Sequence, residues 1–375
     1  MKWFISLPDR LSAAQREAII ISRRLALILL ALLLTLTARP THAATSSYDV
    51  FVNSTLNKGG AGLYFVDART GLSTVVSTGG SRHTLLDNGV LYQEDDGGVI
   101  MVAYPDGRKA AHPAIQPPDS KATINWVVSP DRKRIAWTVS QLSQTTLLSD
   151  LFVASIDGSG KKLALHTSST KNIETVPLAL TNDGGTVFYS RQSSVSRDYQ
   201  LFQVSGDVFR LDVASGQATQ LPDNAKCACA VGFTPDGARF ERLEATPQGF
   251  AARLWDLAAK IDTPIAAPGI SHTQAGYLVL SRDGNLAVYT SARGVPPAKG
   301  VPPERYALIL IDVARREQRL MTPALVNKLR AVSFAPDNSA VLVVGTDKDG
   351  TYKLSVQDGT LLQVSPYTFL GTITD

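Results

Sequence analysis

A turn built on aspartate recurs six times in this chain of 375 residues, and it constrains the fold more than any other feature. Each copy has an apolar stretch, the turn, and a second apolar stretch. The copies are "LLDNGVLYQE", "VVSPDRKRIAWTV", "LALTNDGGTVFYS", "VGFTPDGARFERL", "LVLSRDGNLAVYT" and "VSFAPDNSAVLVV". Their aspartates are Asp87, Asp131, Asp183, Asp236, Asp283 and Asp337, at intervals of 44, 52, 53, 47 and 54 residues. A four-stranded propeller blade takes roughly 40–50 residues, so this period predicts a β-propeller.

The residues of these turns follow the chemistry of tight turns. In x-Pro-Asp-Gly, proline presets φ, aspartate bonds its own backbone, and glycine adopts the left-handed conformation that closes the hairpin. Two copies depart from this form at the last position. Asn338 tolerates the left-handed conformation, whereas Arg132 would be strained there by about 1 kcal/mol. We therefore expect a different turn around Arg132.

A second series of strands leads into polar turns, and it has seven members. They are "LYFVDARTG", "IMVAYPDG", "LFVASIDG", "VFRLDVASG", "ARLWDLAAK", "LILIDVARRE" and "YKLSVQDG". The blade that begins with "YDVFVNS" therefore lacks an inner strand, which "TFLGTITD" at the C-terminus can supply, with Asp375 aligned to the turn aspartates. We predict an all-β fold, a propeller of seven four-stranded blades (six is the alternative count). Its last strand pairs with the first blade, so that no splayed interface remains between first and last blades.

These repeats resemble the WD-like propeller repeats of TolB and of the N-terminal propeller in dipeptidyl-peptidase and prolyl-oligopeptidase enzymes. The resemblance covers nearly all of residues 45–375 and implies a fold rather than a function. The chain leaves no room for the α/β domain of TolB or for the hydrolase domain of the peptidases. It also contains no G-x-S-x-G, P-loop or dinucleotide motif. Because no such motif is recognisable, we expect a non-catalytic scaffold without a cofactor, similar in role to TolB, that recognises a protein or a cell-envelope polymer.

The N-terminus resembles a secretory leader. Arg23 and Arg24 precede an apolar run from Leu25 to Leu36, and Ala43 offers a small residue for cleavage. The run is shorter than the roughly 20 residues of a membrane-spanning helix. We expect a signal peptide over residues 1–43, a propeller over 45–375, and a periplasmic or secreted protein. An uncleaved anchor is the alternative, and export by the general or the twin-arginine route stays open.

Removal of this leader changes the charge balance. Residues 1–43 hold six of the 37 Lys and Arg residues and two of the 33 acids, so the remaining chain has 31 of each. A net charge near zero excludes the basic footprint of a nucleic-acid or anionic-membrane binder. We expect a monomer that does not bind nucleic acid and does not span a membrane after cleavage.

The exported part has two cysteines, Cys227 and Cys229, in "NAKCACAVGF". Residues two apart on a strand lie too far apart for an unstrained disulfide, so a bridge would need a local turn. Two reduced thiols or a strained redox-active pair are both compatible with the sequence. No second Cys/His pair lies nearby at zinc-ligand spacing, so we expect no metal site.

Four histidines follow the leader. His112 and His166 fall in outer strands, where a surface or edge position is expected. His83 and His272 fall in the connections that enter inner strands, at the channel mouth. With a neighbouring acid they could form the site of a lyase or hydrolase, which is the alternative to a binding scaffold. No pair has a spacing that specifies catalysis, so we assign no catalytic residue.

Two other groups of residues invite a functional interpretation. The acids Glu94, Asp95, Asp96, Asp347 and Asp349 suggest calcium, but they sit at hairpin turns and lack the distal glutamate of a calcium loop. We interpret them as solvated turns. The tryptophans Trp126, Trp137 and Trp255 fall on repeat strands, and we expect them in the core between blades.

The connections between second and third strands point to the working face of the ring. Three of them are predicted to be long and irregular, beginning at Ser140, Ser190 and Ser291. Binding residues concentrate on variable loops that a rigid scaffold holds, although tolerated drift would give the same pattern. The candidate partner contacts on this loop-rich face are Arg197, Asp198, Tyr199, Arg293, Arg305 and Tyr306.

Overall fold

A computed structural model describes residues 47–54, 61–94, 98–119, 121–193, 201–203, 205–222, 228–293, 306–325, 327–346 and 348–374. These ranges contain 28 β-strands and no helix. No helix in the described ranges is therefore long and apolar enough to cross a membrane. The strands form seven antiparallel sheets of four strands each, the blades of a propeller, so the predicted fold class is confirmed.

The first three blades take their strands as follows. Blade 1 contains β1 (Ser47–Asn53), β2 (Ala61–Asp67), β3 (Ser73–Thr78) and the closing strand β28 (Thr368–Thr374). Blade 2 contains β4 (Gly80–Leu85), β5 (Val90–Glu94), β6 (Ile100–Ala103) and β7 (Lys109–Ala111). Blade 3 contains β8 (Thr123–Val128), β9 (Arg134–Ser143), β10 (Thr146–Ser155) and β11 (Lys162–Ser169).

The other four blades each take four consecutive strands. Blade 4 contains β12 (Ile173–Leu180), β13 (Thr186–Ser193), β14 (Asp207–Asp212) and β15 (Ala218–Gln220). Blade 5 contains β16 (Ala228–Phe233), β17 (Arg239–Thr246), β18 (Gly249–Asp256) and β19 (Ile261–Ile265). Blade 6 contains β20 (Gln274–Leu280), β21 (Leu286–Ala292), β22 (Tyr306–Asp312) and β23 (Glu317–Leu325). Blade 7 contains β24 (Leu329–Phe334), β25 (Ala340–Gly345), β26 (Thr351–Ser355) and β27 (Leu361–Ser365).

The last strand closes the ring, as predicted. Strand β28 pairs antiparallel with β1, with Ile373 opposite Tyr48 and Thr372 opposite Asp49. Thr372 Oγ1 also donates to Asp49 Oδ1 at 2.7 Å. Ile373 is fully buried in the apolar cluster that joins blade 1 to blade 2. Residues from opposite ends of the chain therefore share one sheet and one core, whereas Asp375 lies outside the described residues.

The aspartate turns join the first and second strands of blades 2–7, and in blades 3–7 the aspartate side chain bonds the turn itself. Asp183 Oδ1 accepts from Thr181 Oγ1 at 2.6 Å and from the Gly185 amide at 2.9 Å. These hydrogen bonds lower the pKa of Asp183. Arg132 does adopt the left-handed conformation, at φ 62°, so the prediction of a different turn there is wrong. Its Nη1 donates to Thr372 O at 2.5 Å, which fixes this turn against blade 1.

Apolar clusters of buried side chains fill six of the seven seams between neighbouring blades. As predicted, Trp126 and Trp137 lie in the cluster between blades 2 and 3, and Trp255 lies between blades 4 and 5. Within the described residues, no such cluster joins blade 7 to blade 1.

Hydrogen bonds to one carboxylate link blades 7 and 1 at this seam. Asp349 accepts from the Ser54 amide at 2.6 Å, from Ser54 Oγ at 3.0 Å and from Thr368 Oγ1 at 3.0 Å. Glu94 accepts from the Tyr92 hydroxyl at 3.2 Å. Asp349 thus bridges two blades and Glu94 ends strand β5, so neither is simply the solvated turn residue that we expected, and Asp95, Asp96 and Asp347 lie outside the described residues.

The connection predicted to be long after Ser140 is instead a tight hairpin. Strands β9 and β10 continue to their ends, where Ser143 pairs with Thr146. Only Gln144 and Thr145 remain between them, and Gln144 adopts φ 55°. The polar stretch was mistaken for a loop because serine and threonine also suit an exposed strand surface. Much of the other two connections, residues 194–200 and 294–305, lies outside the described residues.

Candidate binding sites at the two ends of the channel

The first strand of each blade lines the central channel, and the two ends of the channel differ. We call the end with the aspartate turns the turn face. The opposite end, with the connections between second and third strands, is the loop-rich face. Each described inner strand runs from the loop-rich face to the turn face, since the aspartate turn follows it. Position along the strand therefore tells at which end of the channel a residue lies.

Three polar side chains from neighbouring inner strands are joined near the loop-rich face. Arg82 Nη2 donates to Asn125 Oδ1 at 3.2 Å, and Asn125 Nδ2 donates to Glu174 Oε1 at 2.8 Å. Glu174 also accepts a hydrogen bond from Ser140. Burial raises the pKa of Glu174 and lowers the pKa of Arg82. We call these three side chains the polar layer.

Arg82 also connects the polar layer to the aromatic lining of the channel. Its guanidinium carbon lies 4.2 Å from the ring centroid of Trp126, in cation–π geometry. Trp126 Nε1 donates to Thr84 Oγ1 at 3.0 Å. Arg82 adopts φ 60° within a bulge of β4, where two residues oppose Tyr92 alone. This bulge turns successive side chains away from strict alternation, so that Arg82 can reach blade 3.

Between the polar layer and the turn face lies a cavity of about 420 Å³. It is lined by inner-strand residues of blades 2–6, among them Trp126, Val127, Leu178, Phe233 and Leu278. The rim at the turn face includes Thr181 and Thr234. We call this space the channel cavity. Its lining is apolar except for four side chains that already hydrogen-bond within the protein, those of Thr84, Trp126, Thr181 and Thr234.

A second hollow, of about 540 Å³, adjoins the channel cavity at the turn face and shares Thr181 and Pro235 with it. Two arginines, Arg210 and Arg282, and two carboxylates, Asp183 and Asp236, line this turn-face groove. Hydrogen bonds within their turns lower the pKa of both carboxyls, so they are ionised at neutral pH. The groove therefore carries both signs of charge.

His83 lies in the bulge of β4, near the loop-rich face. Its Nε2 is 3.0 Å from Thr78 Oγ1, and its ring stacks on Tyr92 with centroids 6.0 Å apart. Burial lowers the pKa of His83 to about 4, so the imidazole is neutral at pH 7. A base with so low a pKa is poorly matched to proton transfer near neutral pH.

His272 lies just before β20, also at the loop-rich face. Its Nδ1 is 2.7 Å from Ser291 Oγ. Serine beside histidine can form a nucleophile, but Ser291 has no exposed surface, so a substrate atom cannot reach its Oγ in this conformation. His83 and His272 thus both lie near the channel mouth, and both contact a hydroxyl.

The other two histidines differ in their surroundings. His166 Nδ1 lies 2.6 Å from Asp150 Oδ1 on the exposed outer strands of blade 3, in the expected edge position. His112 is fully buried, so the expectation of a surface position is wrong. Its Nδ1 accepts from the amides of Ala114 and Ile115, both at 3.2 Å. The ring thus supports the link from blade 2 to blade 3, a role that the residue type alone does not reveal.

The candidate contacts of the loop-rich face are only partly described. Arg197, Asp198, Tyr199 and Arg305 lie outside the described residues. Arg293 is exposed at the end of β21, as a contact residue should be. Tyr306 is buried at the start of β22, where its ring packs against Phe202 and Ala292. In this conformation the ring lies beneath the loop-rich face and is not exposed to a partner.

Residues 201–203, from the connection between the second and third strands of blade 4, contact blade 6 at the loop-rich face. Phe202 is buried and meets Tyr277 and Tyr306 edge-on, with centroids 5.4 and 6.4 Å apart. Gly276 makes room for it, since a Cβ there would lie 2.5 Å from the Phe202 ring. The Leu201 amide donates to Gln274 Oε1 at 2.7 Å. We call this contact the Phe202 anchor.

No group of three or more His, Cys, Asp or Glu side chains that could hold a metal ion occurs among the described residues. Cys227 lies outside them, and only the backbone of Cys229 is described.

Comparison with known proteins supports the fold but identifies no functional site. No family model matches the chain, and no curated protein sequence matches it. A prolyl endopeptidase structure is 14% identical with a TM-score of 0.58, over 88% of this chain and 50% of that chain. An oligogalacturonate lyase in complex with manganese is 13% identical with a TM-score of 0.54, over 81% of this chain and 83% of that chain. TolB from Acinetobacter baumannii is 13% identical with a TM-score of 0.44, over 86% and 81%.

These similarities support the propeller part of the predicted resemblance. The endopeptidase and the lyase, at these identities, show the fold alone. Membership of the WD-like repeat family is not shown, because no family model matches the chain. Function must therefore be inferred from the residues of the channel and of its two faces.

Proposed function

We propose that this protein is an exported, non-catalytic propeller that binds a protein or a cell-envelope polymer, a role similar to that of TolB. The leader over residues 1–43, with cleavage after Ala43, would deliver a monomeric propeller to the periplasm or the exterior. Partner binding would take place on the loop-rich face, with Arg197, Asp198, Tyr199, Arg293 and Arg305 as contacts.

The Phe202 anchor is the observation that carries this proposal. A connection at a propeller face can remain a local loop. Here the connection that follows β13 of blade 4 reaches β20 of blade 6, two blades further on, and buries the Phe202 ring there. Ordering a surface before the partner arrives lowers the entropy cost of binding. The anchor orders residues 201–203 beside the channel mouth, which supports a binding role for this face.

The state of the channel-mouth histidines also supports binding rather than catalysis. His83 is neutral and contacts Thr78, and the hydroxyl beside His272 is buried. The polar layer pairs Arg82 and Glu174 through Asn125, which suits a rigid, charge-balanced channel wall.

Site-specific photo-cross-linking in cells that naturally produce the protein tests the proposal. A photoreactive amino acid at Arg293 should yield one discrete cross-linked species, because Arg293 lies on the binding face. The same group at Arg315, whose side chain is 74% exposed on the turn face, should not yield it. The cross-linked chain should begin at Ala44.

Two variants show whether the Phe202 anchor matters. Phe202→Ser should reduce the Arg293 cross-link at least about fivefold, because residues 201–203 lose their buried ring. Leu142→Ser, at a side chain that is 61% exposed at the same end of blade 3, should leave it unchanged. A species captured from Arg315 but not from Arg293 would refute the loop-rich face, and an intact leader on the captured chain would refute export.

A further inference from the structure

We propose that the channel cavity and the turn-face groove together bind a single-chain zwitterionic amphiphile. The hydrocarbon chain would lie in the channel cavity and the charged head in the groove. This site is at the opposite end of the channel from the proposed partner face, so it is a separate function.

The lining of the channel cavity selects a hydrocarbon. Side chains from five blades converge on it, including Trp126, Leu178, Phe233 and Leu280, and none of those that line it is charged. The four polar side chains are engaged in hydrogen bonds with Arg82 O, Thr84, Asp183 and Asp236. A ligand that buried polar groups here would find no free side-chain partner for them, which costs free energy, whereas a hydrocarbon loses nothing.

The polar layer lies at the far end of the channel cavity, so a chain would enter from the turn face. Trp126 forms part of the wall, and the Arg82 guanidinium lies 4.2 Å from its ring centroid. Beyond it the Arg82–Asn125–Glu174 hydrogen bonds span blades 2, 3 and 4. Desolvation of this polar layer by a penetrating hydrocarbon would be unfavourable, which limits the depth of the chain.

The turn-face groove selects the head. It begins at Thr181 and Pro235, where the channel cavity ends. Arg210 and Arg282 can bind a phosphate, while Asp183 and Asp236 can attract an ammonium. The turn bonds to both carboxylates use Oδ1, so Oδ2 of each can face the head. Two charges of each sign fit a zwitterion better than an anion or a cation.

The volumes of the two parts fit such a ligand. Small-molecule sites usually occupy about 300–1,000 Å³. The channel cavity of about 420 Å³ and the groove of about 540 Å³ each lie in this range.

Calorimetric titration of the purified protein with dodecylphosphocholine, kept below its micelle concentration, tests the proposal. We expect saturable binding of one molecule per chain. Phosphocholine alone should bind at least about 100-fold more weakly, because the chain supplies most of the buried apolar area. Dodecanoate and dodecyltrimethylammonium should each bind about tenfold more weakly, because each satisfies one sign of charge.

Variants locate the two halves of the ligand. Leu178→Glu, which places a charge in the channel cavity, should weaken dodecylphosphocholine binding at least about 30-fold. Val127→Gln provides a milder change at a half-buried position should Leu178→Glu not fold, with about tenfold expected. Arg282→Ala should cost about tenfold and abolish the preference over dodecyltrimethylammonium.

Matched changes elsewhere separate this site from general adsorption. Leu163→Glu, at a half-exposed outer strand, and Arg315→Ala, at an outer turn, should leave binding unchanged. Absence of saturable binding, or equal binding to folded Leu178→Glu or folded Val127→Gln, would overturn the hydrocarbon site. Equal affinity for all three amphiphiles would overturn the assignment of a zwitterionic head.

Discussion

Deletion of residues 368–375 should lower the thermal unfolding midpoint by roughly 10 °C or more and promote aggregation. The deletion removes β28 and with it the whole ladder along the inner edge of β1. It also removes Ile373, which is fully buried between blades 1 and 2, and truncation of such a side chain alone costs about 2–5 kcal/mol. The exposed edge of β1 would then be available for pairing with other chains.

The closing seam makes this effect larger than it would be in an evenly packed ring. Within the described residues no apolar cluster joins blade 7 to blade 1, so hydrogen bonds link the two blades, from Ser54 and Thr368 to Asp349 and from the Phe369 amide to Thr351 Oγ1. Thr372→Val, which removes only the bond to Asp49, is the matched control and should cost about 1 kcal/mol. Scanning calorimetry and light scattering measure both variants, and a deletion as stable as the parent chain would refute closure by β28.

Glu241→Met should stabilise the protein at pH 8 by on the order of 4 kcal/mol. Glu241 lies on β17, fully buried, and both carboxyl oxygens lack a hydrogen-bond partner among the described residues. The neighbouring Tyr289 phenol faces it from blade 6, and cross-strand neighbours are Gly232 and Leu254. Burial raises the pKa of Glu241 to about 8 from an ordinary 4.5.

The raised pKa sets the sign of the pH dependence. Between pH 4.5 and 8 the folded chain keeps the proton that the unfolded chain releases, so the free energy of unfolding falls as pH rises. Stability is fully present below pH 4.5 and is lost toward pH 8. Glu241→Met removes the titrating group, so its advantage should be large at pH 8 and small at pH 4.5.

Urea unfolding at pH 4.5, 6 and 8 measures this dependence. Glu317→Met is the matched control, because the Glu317 side chain is 55% exposed, and it should change stability by less than about 0.5 kcal/mol. An equal effect of Glu241→Met at all three pH values would mean that Glu241 has an ordinary pKa and acts only through packing.

The fold could be predicted because its determinants are local and repeated. In blades 3–7 each aspartate turn brings its own hydroxyl, aspartate and left-handed residue, as at Thr181, Asp183 and Gly184. The repeated turns indicate the length of one blade. Because there are seven outer turns but only six inner turns, the sequence predicts that the C-terminal strand completes the first blade. The hairpin after Ser140 was missed because a polar surface strand and a polar loop share the same composition.

The channel sites could not be predicted because they depend on register. Six of the seven inner strand pairs contain a register shift, and only β8–β9 is regular. A bulge changes which residues face the channel, so alternation does not identify Arg82 as a neighbour of Asn125 and Trp126. The Phe202 anchor likewise depends on Gly276, which lies 74 residues further along the chain. Only an alignment of the second and third positions in successive inner strands could have suggested the polar layer.

The channel and both of its faces exist only if the ring is closed by β28, and an engineered disulfide tests this directly. Asp49 and Thr372 are cross-strand neighbours whose side chains already touch, so Asp49→Cys with Thr372→Cys places two sulfurs within bonding reach. In a background of Cys227→Ser and Cys229→Ser, we expect an intramolecular disulfide after mild oxidation, seen as one linked peptide by mass spectrometry. The bridge should raise the unfolding midpoint, because it closes a loop of more than 300 residues. Free thiols, or disulfides only between molecules, would contradict the closed ring.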